Sequence, residues 1–234
     1  MIGTTMKEEL TTMESLASEL VAIGRKNGTD PQVTLNQFLD YTIDCFSVER
    51  LTAAEGNYHS IFTSLIGEGS CFFPVFASFL MSSVEYIRKY KVYDFFGSIY
   101  EKMFQSGGKA QNLGQFFTPQ SISNLCAEMI CSDVKGASAN EPTCGSGRNL
   151  LALFAKDKDF RNYYVAEDLD GVSVKMCAVN MLIHGMRGCC ICHNTLLGDF
   201  IFGYEINEVR YPFPCECYSI RSISEEEYLR RLQR

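Results

Sequence analysis

Apolar side chains recur at helical spacing through the first hundred residues. Leu10, Met13, Ala17, Leu20 and Val21 share one face of a 3.6-residue repeat, and Leu35, Phe38 and Leu39 share another. Asp30-Pro31 supplies a cap and a first-turn proline for the second helix. A longer helical stretch is expected from Pro74 to Phe104, broken near Lys91. These residues read as a helical bundle with no chemistry of its own.

Ser106-Gly107-Gly108-Lys109 is a linker signal, and the pattern changes after it. Ile122, Leu125, Cys126, Met129 and Ile130 fall on one face of a helix, with Thr118 as its cap and Pro119 at its first position. A weak strand ends near Glu141. A glycine-rich turn and a short helix bearing Leu150, Leu151 and Phe154 follow it. Tyr163–Ala166 reads as a second strand. Val174, Cys177, Ala178, Met181 and Leu182 then form a helix face that Gly185 terminates, and Cys189–His193 reads as a third strand. Strands alternating with helices predict a parallel α/β sheet. Two domains are therefore expected, a helical one over residues 1–110 and an α/β one over residues 111–234. No internal repeat is visible.

Composition narrows the class. A hydrophobic fraction of 46% is enough for a packed core and argues against a disordered chain. No apolar run reaches the ~20 residues of a membrane span, and Met1–Leu10 lacks the pattern of a signal peptide. A cytoplasmic protein without membrane contact is expected. The eleven cysteines then read as buried thiols rather than a disulfide framework. The net charge of −7 is spread along the chain, with nine basic against thirteen acidic side chains up to residue 110 and twelve against fifteen after it. No basic run is present. Contact with DNA would need a local patch or a basic partner.

The candidate chemistry begins at Glu141-Pro142-Thr143-Cys144-Gly145-Ser146-Gly147, between a strand and a helix. Glycines there permit positive φ and close approach of a ligand to the backbone, and the following helix offers free N–H groups. Taken alone, Gly-Ser-Gly is equally an ordinary turn. About 20 residues further on, the second strand ends in Ala166-Glu167-Asp168-Leu169-Asp170. A carboxylate at that tip can accept from both hydroxyls of a ribose, and an apolar neighbour can pack on adenine. A solvated acidic loop is the plain alternative. A dinucleotide-binding module is disfavoured, because the third spaced glycine is missing.

Cys189, Cys190, Cys192 and His193, with Cys215 and Cys217 downstream, invite a zinc reading. Their Cys-x-Cys spacing is not that of ribbon sites. In a regular strand Cys190 and Cys192 face one way while Cys189 and His193 face the other. Buried thiols and no metal site are expected. His184, before Gly185, reads as a helix C-terminal residue favoured by the helix dipole.

Four segments in order carry a resemblance. Asp94-Phe95-Phe96-Gly97-Ser98-Ile99-Tyr100-Glu101, Gly114–Pro119 (GQFFTP), Glu141–Gly147 (EPTCGSG) and Glu167–Gly185 (EDLDGVSVKMCAVNMLIHG) resemble the N6-adenine DNA methyltransferases of type I restriction-modification systems. The likeness covers roughly residues 85–200. It implies a helical region followed by a Rossmann-like, S-adenosylmethionine-dependent methyltransferase sheet. By the same resemblance Phe117, Thr118 and Pro119 line the methionine end of the cofactor. Cys144, Gly145 and Gly147 form the floor, with Glu141 at the strand end in place of the family's usual Asp. Asp168 holds the ribose, in preference to Glu167, and Leu169 packs on the adenine. Asn194 stands where the family has an acid for the adenine amino group, with Asp199 nearby as a substitute.

The family's Asn-Pro-Pro-aromatic motif is absent. The six prolines are Pro31, Pro74, Pro119, Pro142, Pro212 and Pro214, no two adjacent, and Tyr211-Pro212-Phe213-Pro214 supplies no Asn. In the family that Asn and a Pro carbonyl accept the two hydrogens of the adenine amino group, a poor nucleophile, while the aromatic stacks on the flipped base. The catalytic residues of this chain are therefore unassigned. Only 35 residues follow Asp199, so an incomplete sheet is expected, its edge covered by the C-terminal segment or by another chain. The resemblance implies a restriction-modification-type methyltransferase-like protein that binds DNA weakly alone and works with a specificity or catalytic partner subunit. Self-association stays open. The alternative is a non-catalytic interaction or regulatory protein that pairs with a modification or restriction partner.

Overall fold

A computed structural model describes residues 2–105, 117–130, 136–159, 161–208 and 218–232. The linker signal at Ser106–Lys109, Gly114–Phe116, Tyr211–Pro214, Cys215 and Cys217 lie outside the described residues.

The first hundred residues form α1 (Ile2–Asn27), α2 (Pro31–Cys45), α3 (Val48–Ala53), α4 (Tyr58–Glu68), α5 (Phe73–Tyr90) and α6 (Phe95–Gln105). Asp30 caps α2 by accepting from the N–H of Gln32 at 2.9 Å, with Pro31 in the first turn. The helical run expected from Pro74 breaks at Lys91, whose φ of 69° ends α5. Met13, Leu20, Leu35, Phe38 and Leu39 are all buried, as their spacing required. Phe38, Phe79, Phe95 and Phe96 pack edge-on and tilted at the centre, with Phe79 and Phe96 ring centroids 5.1 Å apart.

The second part comprises α7 (Gln120–Ile130), β1 (Ser138–Glu141), α8 (Arg148–Phe154), β2 (Tyr163–Asp168), α9 (Gly171–Ile183), β3 (Gly188–His193), β4 (Phe200–Ile206), β5 (Ile220–Ile223) and α10 (Glu225–Leu232). The sheet order is β1-β2-β3-β4-β5. β1, β2 and β3 are parallel, with Glu141 opposite Ala166 and Asp168 opposite Cys192. β4 and β5 are antiparallel to their neighbours, so the expectation of a parallel sheet is corrected: the sheet is mixed. The cause lies in the connection. Six residues join β3 to β4, too few for the crossover that a parallel return needs.

α9 is the hinge of the architecture. It packs on β2 and β3 with one side and on α2 and α6 with the other. Its expected face (Val174, Cys177, Ala178, Met181, Leu182) is buried, but so are Met176, Val179 and Asn180 on the remaining sides. A helix apolar all round belongs in an interior. Buried side chains accordingly run as one cluster from α1 to β4. The opposite face of the sheet is covered by α10, where Tyr228 packs against Cys189, Ile191 and Ile223.

α7 departs from its expected orientation. Ser123 and Ala127 are buried where α7 meets α8, whereas Ile122, Leu125, Met129 and Ile130 are 48–77% exposed. Small residues allow close helix approach, and the apolar stripe therefore faces away from the described core. Pro119 stands just before this helix rather than inside it, its carbonyl accepting from the N–H groups of Ile122 and Ser123. Among the described residues β1 pairs only with β2, and the described C-terminal elements extend the sheet beyond β3 instead. Among the described residues no helix is long and apolar enough to cross a membrane.

Candidate cofactor site

The glycine turn links the C-terminal ends of β1 and β2. Gly145 and Gly147 adopt φ of 53° and 89°, a region closed to most side chains. The Cys144 N–H donates to the Glu167 carbonyl at 2.8 Å. The Gly145 N–H donates to Asp168 Oδ2 at 2.9 Å, and the Asp170 N–H donates to Asp168 Oδ1 at 2.9 Å. Each Asp168 oxygen thus takes one backbone donor and keeps acceptor capacity for another. Leu169, beside it, is 62% exposed. Asp170 is a helix cap: its carboxylate accepts from the N–H and hydroxyl of Ser173.

Phe117 arrives at this turn from a distant part of the chain. Its ring lies on Gly145, where a β-carbon would come within 3.2 Å of it. Tyr100 of α6 packs edge-on behind it, with centroids 5.3 Å apart. The Thr118 carbonyl accepts from Arg148 Nη1 at 3.1 Å. On the other side, the Thr195 hydroxyl donates to the Pro142 carbonyl at 3.1 Å, which draws the Asn194–Leu197 turn toward the glycine turn. Asn194 Oδ1 accepts from the N–H groups of Leu196 and Leu197 within that turn. The Glu141 carboxylate is engaged by Thr143 and Asn149.

Phe117, Cys144, Gly145, Gly147 and Asp168 are therefore brought into one cluster, with Thr118, Leu169 and Asn194 on its margins. Glu167 is not part of it. Neighbouring strand residues alternate, so Glu167 points to the opposite face, 3.3 Å from His193 Nε2 and accepting from Asn140 Nδ2 at 3.3 Å. His193 Nδ1 lies 3.1 Å from the Tyr228 hydroxyl.

The thiols follow the same alternation: Cys190 and Cys192 pack toward α9, Cys189 toward α10. A hydrogen bond with Cys177, burial and nearby carboxylates hold the Cys144 thiol well above the ordinary thiol range. Burial pushes Cys192 up to about 11. Such thiols stay protonated and unreactive near neutrality. Among the described residues no three metal-ligating side chains converge.

His184 corrects an expectation. It does end α9, but burial pushes its imidazole down to about 4, so the neutral ring there draws nothing from the helix dipole.

A further group went unassigned from the sequence. Asp94, 5% exposed, accepts from four donors: Gly97 N–H, Asn180 Nδ2, the Ser146 hydroxyl and Arg148 Nε. Its signals were a glycine inside α6 and an asparagine inside an apolar helix. Neither identifies its partner.

A glycine turn after the first strand and a carboxylate at the tip of the second, on an α/β sheet, are consistent with a methyltransferase fold. Residues 91–203 match the sequence profile of the family described as N-6 DNA Methylase. The type I restriction enzyme MjaIX methylase subunit of Methanocaldococcus jannaschii is 31% identical over 117 residues, covering 46% of this chain and 20% of that protein. The EcoEI methylase subunit of Escherichia coli is 32% identical over 105 residues, covering 39% of this chain and 21% of that protein. The MpnII methylase subunit of Mycoplasma pneumoniae is 31% identical over 101 residues, covering 40% and 18%. Over residues 91–203 the chain is thus similar to the N-6 DNA methylase family and to type I restriction enzyme methylase subunits. The match spans about a fifth of the length of those relatives. No solved structure matches it significantly.

Proposed function

We propose that the chain holds S-adenosylmethionine in a Rossmann-like site at the glycine turn, as the cofactor-binding part of a restriction-modification-type N6-adenine DNA methyltransferase. The observation that carries this reading is Asp168, oriented by the Gly145 N–H, with acceptor capacity left and an exposed Leu169 beside it. The donor set fits the group. The Asp168 carboxylate would accept from ribose hydroxyls, Leu169 would cover the adenine face, and the backbone of Cys144–Gly147 with Phe117–Pro119 would border the amino-acid end. Asn194 would stand on the adenine side. When bound, the cofactor supplies an electrophilic methyl group on a sulfonium sulfur. This chain's residues bind and orient it, while acceptors for the adenine amino group come from elsewhere, since the Asn-Pro-Pro-aromatic motif is missing.

Calorimetric titration with S-adenosylmethionine, S-adenosylhomocysteine and NAD tests the reading. Binding of the first two and not of NAD is expected. Preference for NAD would sink it.

A second reading has its own support. β1 offers an edge with no strand partner among the described residues, and α7 exposes Ile122, Leu125, Met129 and Ile130. An open edge and an apolar helix face favour pairing with another polypeptide. In this reading the chain is a non-catalytic interaction protein of a modification or restriction assembly. The two readings share the partner and differ in whether cofactor is bound.

A further inference from the structure

The buried carboxylate of Asp94 sits outside the sheet, in the link between α5 and α6, yet it reaches both segments that border the cofactor's amino-acid end. Asp94 Oδ1 accepts from the Gly97 N–H at 2.9 Å and from Asn180 Nδ2 at 2.8 Å. Oδ2 accepts from the Ser146 hydroxyl at 2.7 Å and from Arg148 Nε at 2.8 Å. Ser146 lies between the two positive-φ glycines of the turn. Arg148 continues outward: Nη1 donates to the Thr118 carbonyl at 3.1 Å, Nη2 to Glu101 at 3.2 Å, and the guanidinium lies 5.6 Å from the Phe117 ring centroid.

A charge pair this buried, with 11% and 3% of the side chains exposed, is a poor way to gain stability, because desolvation offsets the attraction. What it supplies is geometry. Gly97 shows the tolerance: a β-carbon there would collide with the Asp94 carboxylate and stand 2.7 Å from Ser146 Oγ. We propose that Asp94 is a positioning residue that holds the glycine turn and the Phe117–Pro119 segment in register for the amino-acid end of the cofactor. This rests on the S-adenosylmethionine reading above. It makes the helical region a working part of the site, because α6 and its lead-in supply the anchor. Asp168, at the nucleoside end, meets the turn through the Gly145 N–H, and its other oxygen accepts from the Asp170 N–H rather than from Arg148 or Ser146.

The chemistry of the four neighbours chooses the variant. All four donate, so Asp94→Asn must present its N–H₂ group to one pair. Ser146 can turn to accept, whereas the guanidinium cannot. The amide therefore keeps Gly97 and Asn180 and releases Arg148, and with it the Thr118 carbonyl, while the buried start of α6 stays satisfied.

The test is titration of the wild-type chain, Asp94→Asn, Arg148→Lys and the double variant with S-adenosylhomocysteine and with adenosine, alongside thermal midpoints. Adenosine reports the nucleoside end alone. Expected is a loss of about tenfold or more for S-adenosylhomocysteine, the scale of a charge-assisted hydrogen bond, with adenosine changed by less than about twofold. The double variant should lose no more than either single one, because one network is broken once. Arg148→Lys carries the same split if Asp94→Asn does not fold. Equal losses for both ligands, or none for either, overturn the proposal while leaving the cofactor reading intact. A folded wild-type chain that binds neither ligand overturns both.

Discussion

His184 accepts a hydrogen bond from the backbone N–H of Tyr93 at 3.0 Å, tying the C-terminus of α9 to the lead-in of α6. Its other nitrogen lies 2.6 Å from the Asn180 carbonyl and so carries the proton. Both nitrogens are engaged in the neutral form. A proton added at Nε2 would meet an N–H.

The consequence is a pH dependence of stability. Burial lowers the folded imidazole from its ordinary 6.5 to about 4. Between those values the unfolded chain binds the proton and the folded one does not, so stability falls as pH falls. The contribution is complete above pH 6.5 and is lost toward pH 4. At pH 5 the wild-type chain should have lost about 2 kcal/mol relative to pH 7 from this group. Urea unfolding of the wild type and His184→Gln across this range isolates it. Parallel pH curves for the two would show that His184 is not responsible.

Gly147 tests the turn. At φ 89° a side chain costs about 1–2 kcal/mol, and its β-carbon would stand 2.7 Å from Cys177 Sγ. Gly147→Ala should therefore destabilise by more than that strain, and Cys177→Ala in the same chain should recover only the collision. Urea midpoints decide it. Full recovery in the double variant would mean that the backbone conformation is not strained.

Asp168 and Glu167 should separate cleanly, because they lie on opposite faces of β2. Asp168→Ala is expected to weaken S-adenosylhomocysteine by about 1.5–3 kcal/mol, the scale of hydrogen bonds to a charged group. Glu167→Gln should leave that affinity unchanged and lower the thermal midpoint, since the buried Glu167 carboxylate accepts from Asn140 Nδ2 and lies 3.3 Å from His193 Nε2. Equal affinities for wild type and Asp168→Ala would remove Asp168 from the site.

Catalysis should require residues outside these 234. The purified chain is expected to incorporate no labelled methyl into mixed-sequence DNA as N6-methyladenine. Its duplex binding should be weak and fall with salt, given the net charge of −7. Robust turnover by the chain alone, abolished by Gly147→Asp, would be the contrary result.

Several of these features were legible before any coordinates. The glycine turn and the two-faced thiols of β3 rest on local rules of φ, strand alternation and spacing. Each involves residues within a few positions of one another. The Asp94 cluster was invisible for the opposite reason: its partners Ser146, Arg148 and Asn180 lie 52, 54 and 86 residues away in sequence.

The sequence by itself determined the helical first half, the alternation of strand and helix after it, and the order of the motifs, because periodicity and turn chemistry are local properties of the chain. Tertiary structure alone decided that α9 is buried all round, that β4 returns antiparallel, that α7 turns Ser123 and Ala127 inward, and that Asp94 meets the glycine turn. Those outcomes depend on which surfaces meet. A pattern of apolar spacing identifies a surface that can be buried, but the packing against distant elements chooses which surface is.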